Sequence, residues 1–333
     1  MIGSMDALTA LLEGPKARGA FLLRSVFNPP WALRVEDQAP VSVVTVVRGE
    51  AWLLPAHATP ARLSPGDVVA IRGPGPYTLA DSPETPIEIT VGPEQRCTTS
   101  SGRDVTESMS LGVRTWGESL QEGSTVILSG TYQAPSEVGR HLLASMPELL
   151  VQPAGVGGSE TLVSLLATEL NKEELGQEIM LDRLLDLLLV NVLRTWLTGN
   201  TPDTPTWYRA QSDPVVGTAL RLMQEEPARP WTVASLASAV GVSRAALARR
   251  FNALVGQPPM AYLTNWRLTL AVDLLDQPDA TVATVARQVG YGSAFAFSTA
   301  FKRSYGVSPQ EYRGGTTELP QSTAAPRTLV LSH

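Results

Sequence analysis

Residues Thr232–Phe251, TVASLASAVGVSRAALARRF, and Thr281–Phe301, TVATVARQVGYGSAFAFSTAF, are two versions of one pattern. Thr232, Val233, Ala234, Ala237, Val240 and Gly241 recur as Thr281, Val282, Ala283, Ala286, Val289 and Gly290 at an offset of 49. After the glycine, Leu247 and Phe251 meet Phe297 and Phe301 at an offset of 50, so one residue has been added in the second turn. Each copy predicts a threonine N-cap, a short helix with alanine at its tightest point, a glycine turn, a serine N-cap (Ser243, Ser293) and a second helix. Alanine lets the second helix cross the first closely, and glycine accepts the positive φ of a sharp turn. The expectation is a helix-turn-helix, present twice.

Between the copies, PPMAYLTNWRLTLAVDLLDQ (Pro258–Gln277) opens on prolines suited to a helix start and carries Leu268, Ala271, Val272 and Leu275 on one face. Some 18 helical residues span about 27 Å. Such a rod can hold two second helices near the ~34 Å spacing of successive major grooves on one DNA face. In the first copy Leu247, Phe251 and Leu254 predict the inward side; at ~100° per residue Ala245, Arg249 and Asn252 lie opposite, flanked by Arg244 and Ala248. Arg249 suits a bidentate guanine contact, and Ala245 and Ala248 permit close approach to a thymine methyl. Arg250 projects nearer the packed side, as a phosphate contact or a packing residue. In the second copy Phe297 and Phe301 face inward, leaving Phe295, Ser298, Thr299 and Lys302 outward. Phe295 has two readings, thymine-methyl contact or packing on Tyr291 or on the linker helix.

Charge divides the chain. Residues 213–313 hold 10 Lys+Arg against 7 Asp+Glu, net +3, whereas 1–200 hold 14 against 23, net −9. That asymmetry suits a polyanion partner for the C-terminal part, with ordinary scatter of charge as the alternative. TGNTPDTPTWYRAQSD (Thr198–Asp213) has linker composition, so we expect an N-terminal domain over 1–200, a linker over 201–212 and a C-terminal domain carrying the repeat over 213–313. GGTTELPQSTAAP from Gly314 predicts a disordered tail over 314–333.

Residues 20–135 are rich in Val, Thr, Pro and Gly, with short runs such as VSVVTVVRGEAWLL (Val41–Leu54) and PIEITVG (Pro86–Gly92) separated by SPGD and GPGP turns. Strands at this spacing predict a small β-barrel or sandwich. From Ser159 the period becomes helical, with Leu181, Leu184, Leu185, Leu188, Leu189, Val192, Leu193 and Trp196 on one stripe after a helix at Leu162–Leu170. The main stripe is expected to cover the barrel or the preceding helix; Met180, Leu187, Val190 and Leu197 widen it, leaving two alternatives for the helices at about 159–198: burial entirely within one chain, or a homodimer seam.

Composition excludes several classes. Hydrophobic residues make up 43% and charged residues 17%, with no apolar run of the ~18–20 residues a bilayer needs, so a soluble protein without a membrane span is expected. The N-terminus lacks the basic start and apolar core of an export signal. Cys97 is the single cysteine, which excludes an internal disulfide and suits a cytoplasmic location. His57, His141 and His333 are the three histidines, no two at ligand spacing, so no metal and no cofactor is expected. No Ser-His-Asp set, P-loop or GxGxxG stands in the chain, which argues against an enzyme.

The C-terminal stretch, with its repeat, linker helix and closing VGYGSAFAFSTAFKRSYGVSPQEYR (Val289–Arg313), resembles the DNA-binding domain of AraC/XylS-family transcription regulators. That resemblance implies two recognition helices in successive major-groove segments, with Ala245, Ala248, Arg249, Phe295, Ser298 and Thr299 at base-reading positions. Members of the family often carry glutamate where this chain has Ala294 and arginine where it has Thr299. The second helix is therefore expected to read few bases and to hold phosphate through Lys302 and Arg303.

VVRGEAWLLP (Val46–Pro55) and RLSPGDVVAIRGPGPYTL (Arg62–Leu79) resemble the cupin-type sensor domain of one AraC subgroup, without the histidines of a metal cupin. The resemblance implies a barrel able to take a small-molecule effector, for which Trp31, Arg34, Trp52, His57 and Tyr77 are candidate lining residues, each with ordinary packing or exposure as its alternative. Some regulators of this group act through cysteine oxidation; Cys97 has no resolving partner, and Ser129 stands where relatives often have cysteine.

The expected fold is α+β in two domains: a cupin-like jelly-roll barrel followed by helices, then an all-α domain with two helix-turn-helix motifs joined by a linker helix. The expected function is a sequence-specific, effector-controlled transcription regulator, activator or repressor. Its expected partners are double-stranded promoter DNA, a second copy of the chain and RNA polymerase. The alternatives are a cupin-fold enzyme with an appended DNA module and a redox-responsive regulator acting through Cys97.

Overall fold

A computed structural model describes residues 21–112, 114–132, 143, 145–170, 172, 174–199, 206–211 and 213–313. His141, His333 and the expected tail at 314–333 lie outside the described residues. The described residues up to 199 and those from 206 onward fall in two compact units.

The first unit is built on two sheets. One has the order β10 (Ser110–Gly112), β11 (Thr115–Gly117), β1 (Phe21–Phe27), β12 (Thr125–Tyr132), β3 (Val41–Arg48), β6 (Val68–Arg72) and β13 (Leu149–Gln152). The other has the order β5 (Ala61–Leu63), β4 (Ala51–Pro55), β7 (Tyr77–Ala80), β2 (Ala32–Val35), β8 (Ile89–Val91) and β9 (Cys97–Thr99). The pairing is antiparallel apart from β1 with β11 and β2 with β8. Phe27, Val44, Val46, Val69, Ile71 and Ile127 from the first sheet meet Leu33, Val35, Leu53, Leu63, Tyr77 and Leu79 from the second in one core.

The expected barrel is open. Each sheet ends in its own edge strands, and among the described residues no strand pair joins one sheet to the other. The chain instead crosses between sheets at turns such as Arg48–Gly49–Glu50, where Gly49 takes φ +74° and a Cβ would stand 2.9 Å from Thr125 Oγ1. Side-chain packing, rather than a continuous ladder, therefore holds the faces together.

Two helices, α1 (Ser159–Glu169) and α2 (Gln177–Thr198), belong to the same unit. Leu181, Leu184, Leu185, Leu188, Leu189, Val192, Leu193, Trp196 and Leu197 of α2 are all buried. Leu185 is seated over Gly130 of β12, where a Cβ would stand 2.3 Å from its Cδ2. With α2 over one face and the second sheet over the other, β3 is buried from Val41 to Val46, which explains its near-continuous apolar sequence. The main stripe of α2 is thus consumed within the chain, while Ile179, Met180 and Leu187 remain 68%, 51% and 53% exposed.

The second unit is helical: α3 (Thr206–Gln211), α4 (Val216–Glu225), α5 (Val233–Ala239), α6 (Arg244–Val255), α7 (Pro259–Leu275), α8 (Val282–Gln288), α9 (Ala294–Tyr305) and α10 (Pro309–Arg313). Helix α3 lies within the stretch expected to be linker, because Ala210 is small enough to be fully buried in the core beside Leu247 and Phe251. Two core clusters divide the unit. One gathers Leu220, Trp231, Leu236, Leu247, Phe251 and Leu263; the other gathers Leu268, Val272, Leu275, Val285, Phe297 and Phe301. Helix α7 supplies Leu263 to the first and Leu268 to the second, and so connects them.

Candidate nucleic-acid interface

The helix pairs α5–α6 and α8–α9 are built by the same local chemistry. Thr232 accepts a hydrogen bond from the Ser235 N–H in a capping box, and Thr281 accepts one from Thr284 N–H at 3.1 Å. Both satisfy amide donors that a helix start leaves unpaired. Gly241 and Gly290 turn the chain at φ +71° and +85°. Ser243 then accepts from Ala246 N–H and Ser293 from Ala296 N–H, each at 3.2 Å. Gly256 and Gly306 close the second helices at φ +80° and +78°.

These caps fix which side chains face outward. In α6 Leu247 and Phe251 are fully buried, Leu254 is half-buried, and Val255 joins the core. Arg244, Ala245, Arg249, Arg250 and Asn252 are exposed and Ala248 is half-buried. In α9 Phe297 and Phe301 are fully buried, while Phe295, Thr299, Lys302 and Arg303 are exposed and Ser298 is half-buried. Phe295 stands 83% exposed, so of its two readings the packing one falls away. Tyr291 instead makes an edge contact with Phe297 at 5.5 Å, leaving Phe295 an uncovered aromatic at the start of a helix. The Thr299 hydroxyl donates to the Phe295 carbonyl at 3.0 Å.

Arg244, Arg249, Lys302 and Arg303 enter no ion pair among the described residues. Arg250 does: its Nε donates to Asp213 Oδ2 at 2.8 Å and its Nη2 lies 2.6 Å from the same oxygen. Sequence spacing gave no sign of that pair, whose members stand 37 residues apart. A second unforeseen contact ties α7 to the loop before α5, where the Arg267 Nε donates to the Pro227 carbonyl at 2.7 Å and Nη2 to the Arg229 carbonyl at 2.8 Å. Arg229 in turn covers the Trp231 ring at 4.1 Å.

The five residues suggested to line an effector site do not come together. Trp31 and Tyr77 are buried between the sheets, but the register Ala32↔Ala80, Val35↔Tyr77 sets them toward opposite ends of the β2–β7 pair. Trp31 stacks on Phe27 at 4.8 Å with its Nε1 buried and unpaired, and Tyr77 bonds Ser42 of the opposite sheet. Arg34 and Trp52 alternate with the inward Leu33, Val35 and Leu53, so they stand on the other face of the six-stranded sheet, Arg34 paired with Glu36. His57 is exposed between β4 and β5. Among the described residues no group of three His, Cys, Asp or Glu could hold a metal ion, and no helix is long and apolar enough to cross a membrane.

The Cupin family pattern matches residues 6–198 and the Helix-turn-helix domain pattern residues 236–315. A Streptomyces lividans protein named as an AraC-like transcription regulator is 33% identical over 314 residues, spanning 93% of this chain and 98% of its own length. The chain belongs to the AraC-like transcription regulators. In this AraC-like regulator the cupin match takes in both sheets with α1 and α2, and the helix-turn-helix match takes in α6 and α9. A Streptomyces antibioticus relative of the same description is 32% identical over 314 residues, again 93% of this chain and 98% of its own length. The transcriptional regulator AlkR of Acinetobacter baylyi is 33% identical over 181 residues, 53% of this chain and 59% of that protein. Among solved structures, the DNA-binding domain of AdpA in complex with a target DNA is 33% identical, covering 31% of this chain and 93% of that one, with a TM-score of 0.30.

Proposed function

We propose that this AraC-like regulator reads a specific promoter sequence with two helix-turn-helix units, α6 and α9 entering successive major-groove segments while α7 spaces them. The observation that carries the proposal is the exposure of Arg249, flanked by Ala245 and Ala248, on a helix anchored from behind by fully buried Leu247 and Phe251. Arg249 contacts guanine; Arg244 and Asn252 border it. On α9, Phe295 meets a thymine methyl, Ser298 and Thr299 lie against base edges, and Lys302 and Arg303 hold phosphate. Arg250, engaged by Asp213, is left out of the contact set.

Several further elements belong to the same proposal. Residues 1–200 form the sensor, 201–212 the linker, 213–313 the DNA-binding domain and 314–333 a tail, and the protein works in the cytoplasm without an enzymatic activity. A small effector bound by the first unit controls DNA binding, with Trp31 and Tyr77 as its separate buried candidates. The exposed Ile179, Met180 and Leu187 of α2, with Leu165 of α1, form a homodimer seam. RNA polymerase contacts the DNA-bound form. Redox control through Cys97 is disfavoured, because burial, helped by Asp104, pushes its thiol up to about 11 and leaves little thiolate at neutral pH.

The test is fluorescence anisotropy with the duplex upstream of the gene and a scrambled duplex at two salt concentrations. A preference that survives the higher salt supports sequence reading. Equal, salt-labile binding to both duplexes refutes sequence reading on that fragment.

A further inference from the structure

Asp213 has two roles in the second unit. Its Oδ1 accepts the Val215 and Val216 amides at 3.0 and 2.9 Å, which starts α4. Its Oδ2 accepts a hydrogen bond from Arg250 Nε at 2.8 Å, with Nη2 2.6 Å away in the same ion pair. The carboxylate is nearly covered, its side chain 13% exposed, whereas the arginine is 50% exposed beside Arg249. A carboxylate oxygen ion-paired with the guanidinium offers it the negative charge and acceptor that a DNA phosphate oxygen would.

The position on α6 gives this pair its consequence. Arg250 lies on the flank of the helix, one residue from the proposed guanine-reading Arg249, where the rim of a groove-bound helix meets the sugar-phosphate backbone. Arg244, Arg249, Lys302 and Arg303 form no ion pair among the described residues, whereas Arg250 is held in one by a carboxylate of the same unit. Because Asp213 is fixed by two backbone amides, releasing Arg250 would not follow from a side-chain rotation of the aspartate alone.

We propose that Asp213 is an internal phosphate mimic that withholds Arg250 from DNA, so that the first helix pair engages one phosphate fewer than its basic residues allow. The inference rests on the DNA-binding proposal and adds a limit to the strength of its sequence-independent part. Each phosphate neutralised on duplex DNA contributes about 0.9 to the slope of log K against log salt.

The test uses the full chain and a scrambled duplex, and compares the salt slope of wild type with Asp213→Asn, Asp213→Ser, Arg250→Gln and the Asp213→Asn/Arg250→Gln double variant. Asn and Ser both retain an acceptor for the α4 amides, and Ser is too short to reach Arg250. The expected result is a slope steeper by about 0.9 for Asp213→Asn and Asp213→Ser, with wild-type slopes for Arg250→Gln and the double variant. If the Asp213 variants fail to fold, the unchanged slope of Arg250→Gln still supports the proposal. A slope flattened by about 0.9 in Arg250→Gln overturns it, since Arg250 would then already touch phosphate. Folded Asp213 variants with an unchanged slope also overturn it. Absence of any wild-type binding at low salt would remove the DNA-binding proposal itself, an outcome distinct from an altered slope in a protein that binds.

Discussion

The backbone of Ala228 lies against Gly290: a Cβ built on that glycine would stand 2.6 Å from the Ala228 Cα and 2.8 Å from its carbonyl oxygen. Its counterpart Gly241 has the same left-handed conformation but nothing within 4 Å. Gly241→Ala should therefore cost only the left-handed strain, about 1–2 kcal/mol. Gly290→Ala should cost that plus a backbone displacement of roughly 1–3 kcal/mol. Urea unfolding of the two variants checks the difference, and equal midpoints would contradict the close approach.

The exposed face of α2 can be separated from its buried stripe. Ile179→Glu with Leu187→Glu should leave stability within about 0.5 kcal/mol of wild type, because both sites are exposed. The same double variant should convert a dimer to a monomer in sedimentation velocity. Leu188→Ala, in the buried stripe, should instead cost about 2–5 kcal/mol. A wild-type chain that sediments as a monomer, or a double variant that remains dimeric, would exclude this seam.

Arg249→Ala should lose about 1–3 kcal/mol of discrimination at one base position, read by competition with single-base operator variants. Lys302→Ala should weaken all sequences alike and flatten the salt slope by about one unit. Identical behaviour of the two variants would overturn the assignment of base and phosphate contacts.

Acid should weaken the Asp213 contacts. Burial opposes ionisation of this carboxyl, but the Val216 amide, Arg250 and the Val215 amide outweigh it and hold the group below the usual carboxylate range. A folded pKa below the unfolded value of about 3.9 gives stability that is present above that value and lost as pH falls through the folded one. The difference in thermal midpoint between wild type and Asp213→Asn should accordingly shrink from about pH 5 to about pH 3. A difference that stays constant over that range would show that the ion pair contributes nothing.

Cys97 should resist alkylation. With its thiol raised to about 11 by burial and by Asp104, iodoacetamide labelling at about pH 8 should be slow in the native chain and fast in denaturant, where the thiol returns to about 8.5. Rapid native labelling would reopen the redox alternative.

What could be read from the sequence was what is local. Threonine and serine caps, glycine turns and the burial of Phe251 and Phe297 follow from neighbours within a few residues, and the outward set of α6 followed from helical phase alone. The effector candidates failed on parity: Leu53 points inward and Trp52 outward because they are adjacent on one strand, and nothing in their residue types says which. The stripe on α2 was legible as apolar and the barrel as one of its two candidate partners, but the contact itself, Leu185 over Gly130, joins residues too far apart in the chain for a local pattern to select. The Asp213–Arg250 pair joins residues with no shared period, so no local pattern announced it. Trp31 and Tyr77 are both buried, but only strand register separates one end of the sandwich from the other.

The residue added to the second turn, beside Gly292, has left no trace in the helix that follows. Ser293 caps Ala296 at the same 3.2 Å at which Ser243 caps Ala246, and nothing lies within 4 Å of a Cβ on Gly292. Each second helix therefore takes its angular starting point from its own serine, and the turn behaves as an expansion joint. An insertion before Ser293 can be absorbed as slack, whereas one a residue after it would rotate every outward side chain of α9 by about 100° and present DNA with a different set. Duplicated units joined this way can drift in turn length while their binding faces stay aligned.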